Sequence, residues 1–224
     1  TPETFSARRS ATNVRASRYS GRMAVADWFS FKSPLALEGA RIRLRPPRAG
    51  DFAEWSMLRR VSRDFLQPWE PAWPEDDLTP AAWRRRMAAY TRELDLGLGF
   101  AFLVFRKSDE ALVGGISLSN VRRGVALMGT VGYWVGLPHV RKGYTLEAVG
   151  AVKEFAFGRL GLHRLEAACV PENEPSRTLL LKAGFKPEGK ASAYLKINGV
   201  WRDHLTFGLV AGETTGANDR EIAR

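Results

Sequence analysis

Hydrophobic positions along this chain change period several times, and each change marks an element. Ile42 and Leu44 alternate with Arg41, Arg43 and Arg45, which predicts a first strand over Arg41–Arg45. Asp51 then opens a helix in which Phe52, Trp55 and Leu58 share one face. The segment from Gln67 to Pro74 is broken by repeated prolines, which predicts a non-helical loop carrying Trp69 and Trp73 beside the acids Glu70, Glu75, Asp76 and Asp77. From about Thr79 the helical period returns, with Trp83, Met87, Tyr90 and Leu94 on one side.

Beyond Gly99 the pattern is that of strands: Phe100–Phe105, Leu112–Leu118 and Val125–Val135, separated by turns at Lys107–Glu110 and Arg122–Gly124. A helix follows Gly143, with Ala148, Val149, Val152, Phe155, Ala156 and Leu160 as its apolar face and Gly161 as its end. Arg164–Val170 reads as a strand with Leu165, Ala167 and Cys169 on one side. Asn173 caps a helix that Gly184 stops. The last hairpin pairs Tyr194–Ile197 with Val200–Val210 across Asn198-Gly199, a dipeptide suited to a tight hairpin turn. This order is α+β and shows neither an internal repeat nor a second core.

Charge adds to that outline at the ends. The net charge is +10, and residues 1–22 carry five arginines against the single acid Glu3. A Ser/Arg-rich stretch with so little apolar content cannot bury enough surface to fold by itself. We therefore read residues 1–37 as a basic flexible arm, 38–212 as the domain and 213–224 as a flexible tail. The arm is suited to contact with RNA or the ribosome, and a mitochondrial transit peptide of similar composition is the alternative. The 45% apolar and 26% charged content is that of an ordinary soluble globular protein, and no apolar run reaches membrane-spanning length. One cysteine and three scattered histidines exclude an intrachain disulfide and argue against a metal enzyme.

The chemistry concentrates between Gly132 and Glu147. A strand ends, a loop with Arg141, Lys142 and Gly143 follows, and a helix begins. Unpaired N–H groups at a helix N-terminus attract phosphate oxygens, a glycine lets the backbone approach closely, and flanking cations add charge. A plain basic strand-to-helix turn would look the same taken alone.

Further blocks follow in order: Asn173-Glu-Pro-Ser176, Ala183-Gly-Phe185, Glu188-Gly189 and Trp201-Arg-Asp-His204. With these the sequence resembles the GNAT acetyltransferases over about residues 38–212. Within them it resembles the RimJ/RimL group, which acetylates the N-termini of ribosomal proteins. Phe65–Pro71, Ser119–Gly124 and Trp201–His204 are closest to the alanine-acetylating RimJ branch. The resemblance implies a GNAT fold, a mixed and mostly antiparallel sheet of about seven strands with about four helices, in which two central strands splay around acetyl-coenzyme A. It implies that Val135 contacts the pantetheine arm. Arg141, Lys142, Gly143, Tyr144 and Thr145 would take the pyrophosphate, with Asn173 and Ser176 completing the cofactor site. Ser176 and Glu166 are the catalytic candidates, and Trp69, Glu70, Trp73, Asp203 and His204 the acceptor-binding ones. No metal is implied.

The sequence departs from the family pattern at Val140 and Thr145 of the loop. It also has Leu180 where many members carry a tyrosine acid, and no evident carboxylate base. An α-amine, with a pKa of about 7.7–8.0, is partly neutral at pH 7, whereas a lysine near 10.4 needs a strong base. The expected activity is therefore acetylation of a protein N-terminus, alanine first, in the cytoplasm, by direct attack on the thioester. A GNAT acting on a small-molecule amine and a non-catalytic ribosome- or RNA-binding factor are the rival readings.

Overall fold

The computed structural model describes residues 35–212, so the expected tail and nearly all of the expected arm lie outside the described residues. The first paired residue is Leu37, one position before the expected domain boundary; it is buried and belongs to the core.

The elements run β1 (Leu37–Glu38), β2 (Ile42–Arg45), α1 (Phe52–Val61), α2 (Arg63–Leu66), α3 (Pro80–Asp95), β3 (Phe100–Arg106), β4 (Leu112–Arg122) and β5 (Met128–Val135). They continue with α4 (Tyr144–Glu154), β6 (Arg164–Cys169), α5 (Glu174–Lys182), β7 (Lys186–Ile197) and β8 (Val200–Val210). The eight strands form one sheet in the order β1-β2-β3-β4-β5-β6-β8-β7. All neighbours are antiparallel except β5 and β6, which the crossover through α4 makes parallel.

Alternation along β3 assigns its side chains to the two faces. Leu103 and Phe105 pack with Trp55 and Leu58 of α1 and Trp83 of α3 on one side. Phe100 and Phe102 meet Phe155, just beyond α4, edge-on at 5.1 and 5.9 Å on the other. The sheet is thus covered on both faces around its centre, with a core on each side.

The structure corrects the sequence expectations in several places. There are eight strands rather than about seven, and five α-helices among the described residues rather than about four. The added strand is the two-residue β1, too short to show a period. The added helix, α2, is a single turn. Gln67–Trp69 forms a 3-10 turn where a wholly non-helical loop was expected, because Pro68 occupies a first-turn position at which a missing N–H leaves no bond unmade. The third strand of the meander begins at Met128 rather than Val125, which stands fully exposed at the turn. The helix after Gly143 widens into a π-turn over Phe155–Arg159 before Gly161, at φ 61°, ends it. The last hairpin is far longer than expected, since β7 starts at Lys186. As an edge strand held by β8 alone it is mostly exposed and shows no apolar alternation.

Candidate active site

The centre of the site is a gap in the sheet. β5 and β6 pair only at Met128–Arg164, Gly129–Leu165 and Thr130–Glu166. Past that point β5 stays with β4 as far as Val135, and β6 stays with β8 as far as Cys169. The two strands part, leaving the facing edge of β5 from Val131 to Val135 without a strand partner. Backbone groups left open in this way can hydrogen-bond an extended ligand.

α4 begins at the wide end of this wedge. Its N-cap is Gly143 at φ 81°, with no side-chain cap, so the N–H groups of the first turn remain available. Only glycine adopts that conformation without strain, and a Cβ there would also lie 3.2 Å from Arg41 Nη2. Arg141 is likewise left-handed, at φ 59°. The one acid in the first turn, Glu147, is spent on Arg41, whose Nε is 3.0 Å from its carboxylate and whose backbone N–H donates to it as well. Lys142 donates to the Pro138 carbonyl at 2.8 Å, while Arg141 points to solvent. Val135, Tyr144 and Thr145 border one narrow hollow at the start of α4 together with Gly114 and Trp134. The bend before this loop contains His139, whose pKa is lowered by burial and then by Arg106 and Lys142.

Beyond the end of β6, on the parted side of the wedge, Asn173 caps α5: its side-chain oxygen accepts the Ser176 N–H at 3.1 Å. Ser176 Oγ is 2.9 Å from the Tyr133 hydroxyl. Leu180 is fully buried in the core. Glu166 occupies the last paired position before the strands part, and its carboxylate is tied to Arg164 at 3.2 Å and approached by Arg122 at 3.9 Å.

A cavity of about 500 Å³ lies on the α1/α3 face of the sheet. Its floor is made by small residues of three adjacent strands, Ala101, Gly115, Ser117 and Gly132, and its walls carry Trp55, Trp73, Trp83, Tyr90, Tyr133 and Trp134. A Cβ on Gly132 would find only Ser117 Oγ, 3.4 Å away, so the space above this strand exists because the residue has no side chain. Glu70 and Trp73 line the cavity, whereas Trp69, half-buried in its 3-10 turn, does not.

Charges in this wall are matched. Arg59 Nη1 and Nη2 each donate to Glu70 at 2.7 Å, and Trp73 Nε1 adds a third bond at 2.8 Å. The Arg59 guanidinium also stacks 4.0 Å from the Trp73 ring and 5.0 Å from the Trp134 ring. Asp77 pairs with Arg86 at 2.6 Å, and exposed Asp76 pairs with Arg85. The acidic loop of the sequence is therefore mostly neutralised by arginines of α1 and α3. The structure does not bring Asp203 and His204 to this cavity. Asp203 is held by Lys190 at 2.7 Å and by the Ala193 N–H at 2.9 Å. His204 is buried, with Nδ1 3.0 Å from the Arg202 carbonyl and Tyr194 against its ring. The hairpin still touches the wall of this cavity, through the Asn198 N–H on the Glu70 carbonyl at 2.8 Å.

Sequence reasoning missed Arg59, Tyr133 and the small-residue floor. The floor had a visible signal, Gly114-Gly115, Ser117 and Gly132 inside apolar strands, because a glycine within a strand marks a close approach or an open space. Among the described residues there is no cluster of three or more His, Cys, Asp or Glu that could hold a metal, and no helix long and apolar enough to cross a membrane.

An open strand edge running to an uncapped helix N-terminus suits a ligand with an amide-bearing arm and a pyrophosphate, as coenzyme A has. The chain belongs to the GNAT acetyltransferases: residues 41–186 match the family described as Acetyltransferase (GNAT) domain. It is an N-acetyltransferase that uses acetyl-coenzyme A. It is 36% identical over 174 residues to "Probable N-acetyltransferase YjcK" of Bacillus subtilis, an alignment covering 78% of this chain and 96% of that one. It is 34% identical over 154 residues to the [ribosomal protein uS5]-alanine N-acetyltransferase of Escherichia coli, covering 69% of this chain and 79% of that one. The solved structure of Mycobacterium smegmatis RimJ in complex with CoA-disulfide superimposes with a TM-score of 0.77 at 31% identity, covering 82% of this chain and 91% of that one.

Proposed function

We propose that the acceptor is the N-terminal α-amine of a protein, in the first instance a ribosomal protein beginning with a small residue such as alanine. The observation that carries this reading is the charge-matched aromatic cavity beside the wedge. Both carboxylates that line it, Glu70 and Asp77, are paired with arginines. A lysine acceptor needs a strong base to lose its proton, and a carboxylate already engaged by a guanidinium is a poor one. An α-amine is partly neutral at pH 7 and needs less help. Aromatic walls over a floor of small residues suit a short side chain and an extended backbone. The relative named for alanine on ribosomal protein uS5 supports the same acceptor, and cytoplasmic action with it.

In this reading Val135 and the open edge of β5 hold the pantetheine arm. Arg141, Lys142, Gly143, Tyr144 and Thr145 hold the pyrophosphate, and Asn173 stands on the parted side of the wedge, past the end of β6. When bound, acetyl-coenzyme A supplies the activated acetyl group as a thioester. The protein positions the amine, excludes part of the solvent, and offers the Ser176 hydroxyl as proton donor to the departing sulfur, while water takes the amine's proton. Glu166 remains committed to its arginines.

The test is mass spectrometry of peptides and of purified ribosomal proteins incubated with the enzyme and acetyl-coenzyme A. Acetyl on an N-terminal alanine, with none on lysine side chains, is the expected result. Preference for a free small amine over every peptide would replace this reading with the small-molecule one.

A further inference from the structure

Glu147 stands in the first turn of α4, the helix that begins without a side-chain cap at the wide end of the wedge. An acid there stabilises a free helix, because its charge opposes the positive end of the dipole. It also works against a phosphate brought to the same N–H groups, since like charges repel at short range. A helix that takes a pyrophosphate at this end therefore needs the carboxylate cancelled.

Arg41, the residue before β2, is placed to cancel it. Its backbone N–H donates to Glu147 Oε1 at 2.5 Å and its Nε to Oε2 at 3.0 Å, so one residue holds both carboxylate oxygens. The turn before β2 makes room for the carboxylate: a Cβ on Gly39 would lie 2.6 Å from Glu147 Oε1. The Glu147 side chain is 17% exposed and that of Arg41 55%, so the cation is the outer member of the pair.

Two further contacts fix the guanidinium over the loop. Nη1 donates to the Lys142 carbonyl at 3.1 Å, across 101 positions of chain. Because a peptide unit is planar and trans, that bond points the following N–H, of Gly143, away from Arg41. The guanidinium carbon also lies 5.0 Å from the centre of the Tyr144 ring, at the first residue of the helix.

We infer that Arg41 is a positioning residue that cancels the charge of Glu147 and so leaves the N-terminus of α4 open to the pyrophosphate of the cofactor. This role rests on the reading of residues 141–145 as the phosphate loop. The phosphate itself is taken by the N–H groups of the helix, and Arg41 acts through Glu147.

The experiment uses the full chain and measures the Kd of coenzyme A by calorimetry for wild type, Arg41→Met, Glu147→Gln and the double variant. Glutamine keeps an oxygen to accept from the Arg41 N–H and removes only the charge. One uncancelled charge at a helix N-terminus changes an equilibrium constant by up to about tenfold. Arg41→Met should therefore weaken coenzyme A about tenfold, and adding Glu147→Gln should restore most of that loss. Alone, Glu147→Gln should tighten binding about threefold, because Arg41 then faces the phosphates without a counter-charge. That variant reads the role of Arg41 even if Arg41→Met folds poorly. Dephospho-coenzyme A keeps the pyrophosphate and lacks the 3′-phosphate, and it should follow the same pattern. A loss in Arg41→Met that Glu147→Gln does not restore, weaker binding by Glu147→Gln alone, or changes absent with dephospho-coenzyme A would overturn the role of Arg41. Gly143→Glu tests the underlying reading separately. If it binds coenzyme A as wild type does, the loop assignment fails and the role of Arg41 falls with it. If it abolishes binding while the Arg41 and Glu147 variants bind as wild type, the loop stands and only the role of Arg41 is lost.

Discussion

Arg59 of α1 grips Glu70 through two parallel hydrogen bonds of 2.7 Å each. The Arg59 guanidinium lies over the rings of Trp73 and Trp134, and the pair braces the cavity wall rather than leaving a free carboxylate there. Removing one partner of a largely buried pair strands the other charge, at a cost of about 3–5 kcal/mol. Glu70→Ala should therefore destabilise the fold by about 3 kcal/mol. Asp76→Ala, which breaks an exposed pair, should change stability by less than about 1 kcal/mol. Urea unfolding of the two variants checks the contrast.

Gly143 sits in the left-handed region at φ 81°, and a side chain there also meets Arg41. A substitution at this φ costs roughly 1–2 kcal/mol locally. Gly143→Glu further places negative charge at the helix N-terminus proposed to hold the pyrophosphate. Acetyl-coenzyme A should raise the melting temperature of the wild type, since it binds the folded state, and should leave that of the variant unchanged. An equal shift in both proteins would remove the phosphate-loop assignment.

Gly132 has ordinary strand geometry and open space above it, so Gly132→Val fills part of the cavity floor with little backbone strain. Peptide KM should rise about tenfold, the order of effect of one or two misplaced methyl groups. The thermal shift with acetyl-coenzyme A should persist. Calorimetric titration with each ligand separates the two effects.

His139 has a lowered pKa in the folded protein, chiefly through burial and then through Arg106 and Lys142. As pH falls past the unfolded value of about 6.5, the unfolded chain takes up this proton first. The contribution of His139 to stability is therefore present above that pH and is lost as pH falls toward the folded pKa. Stability measured by urea at pH 7.5 and 5.5 should drop more in wild type than in His139→Gln.

Much of this protein is legible along the chain. The amphipathic period of α3, the Thr79 cap that accepts the Ala82 N–H at 3.2 Å, the Asn173 cap, and Gly143 before α4 are decided by residues within a turn or two of one another. So is the loop chemistry that suits a phosphate, because the left-handed glycine, the free N–H groups and the flanking cations are neighbours in sequence. Edge strands were harder to see: β7 is exposed along most of its length, and its period therefore carries no burial signal.

The sequence by itself thus determined the order of the elements and the left-handed turn before α4 that is proposed to hold the cofactor, since backbone preference and short-range hydrogen bonding act locally. Only the tertiary structure decided the rest. Where β5 leaves β6 depends on how far two strands separated by a crossover helix stay in register. The neutralisation of Glu70 and Asp77 depends on Arg59 and Arg86, which approach from separate helices. The meeting of Tyr133 with Ser176 spans 43 positions of chain. Such pairings follow from long-range packing, and no local period records them.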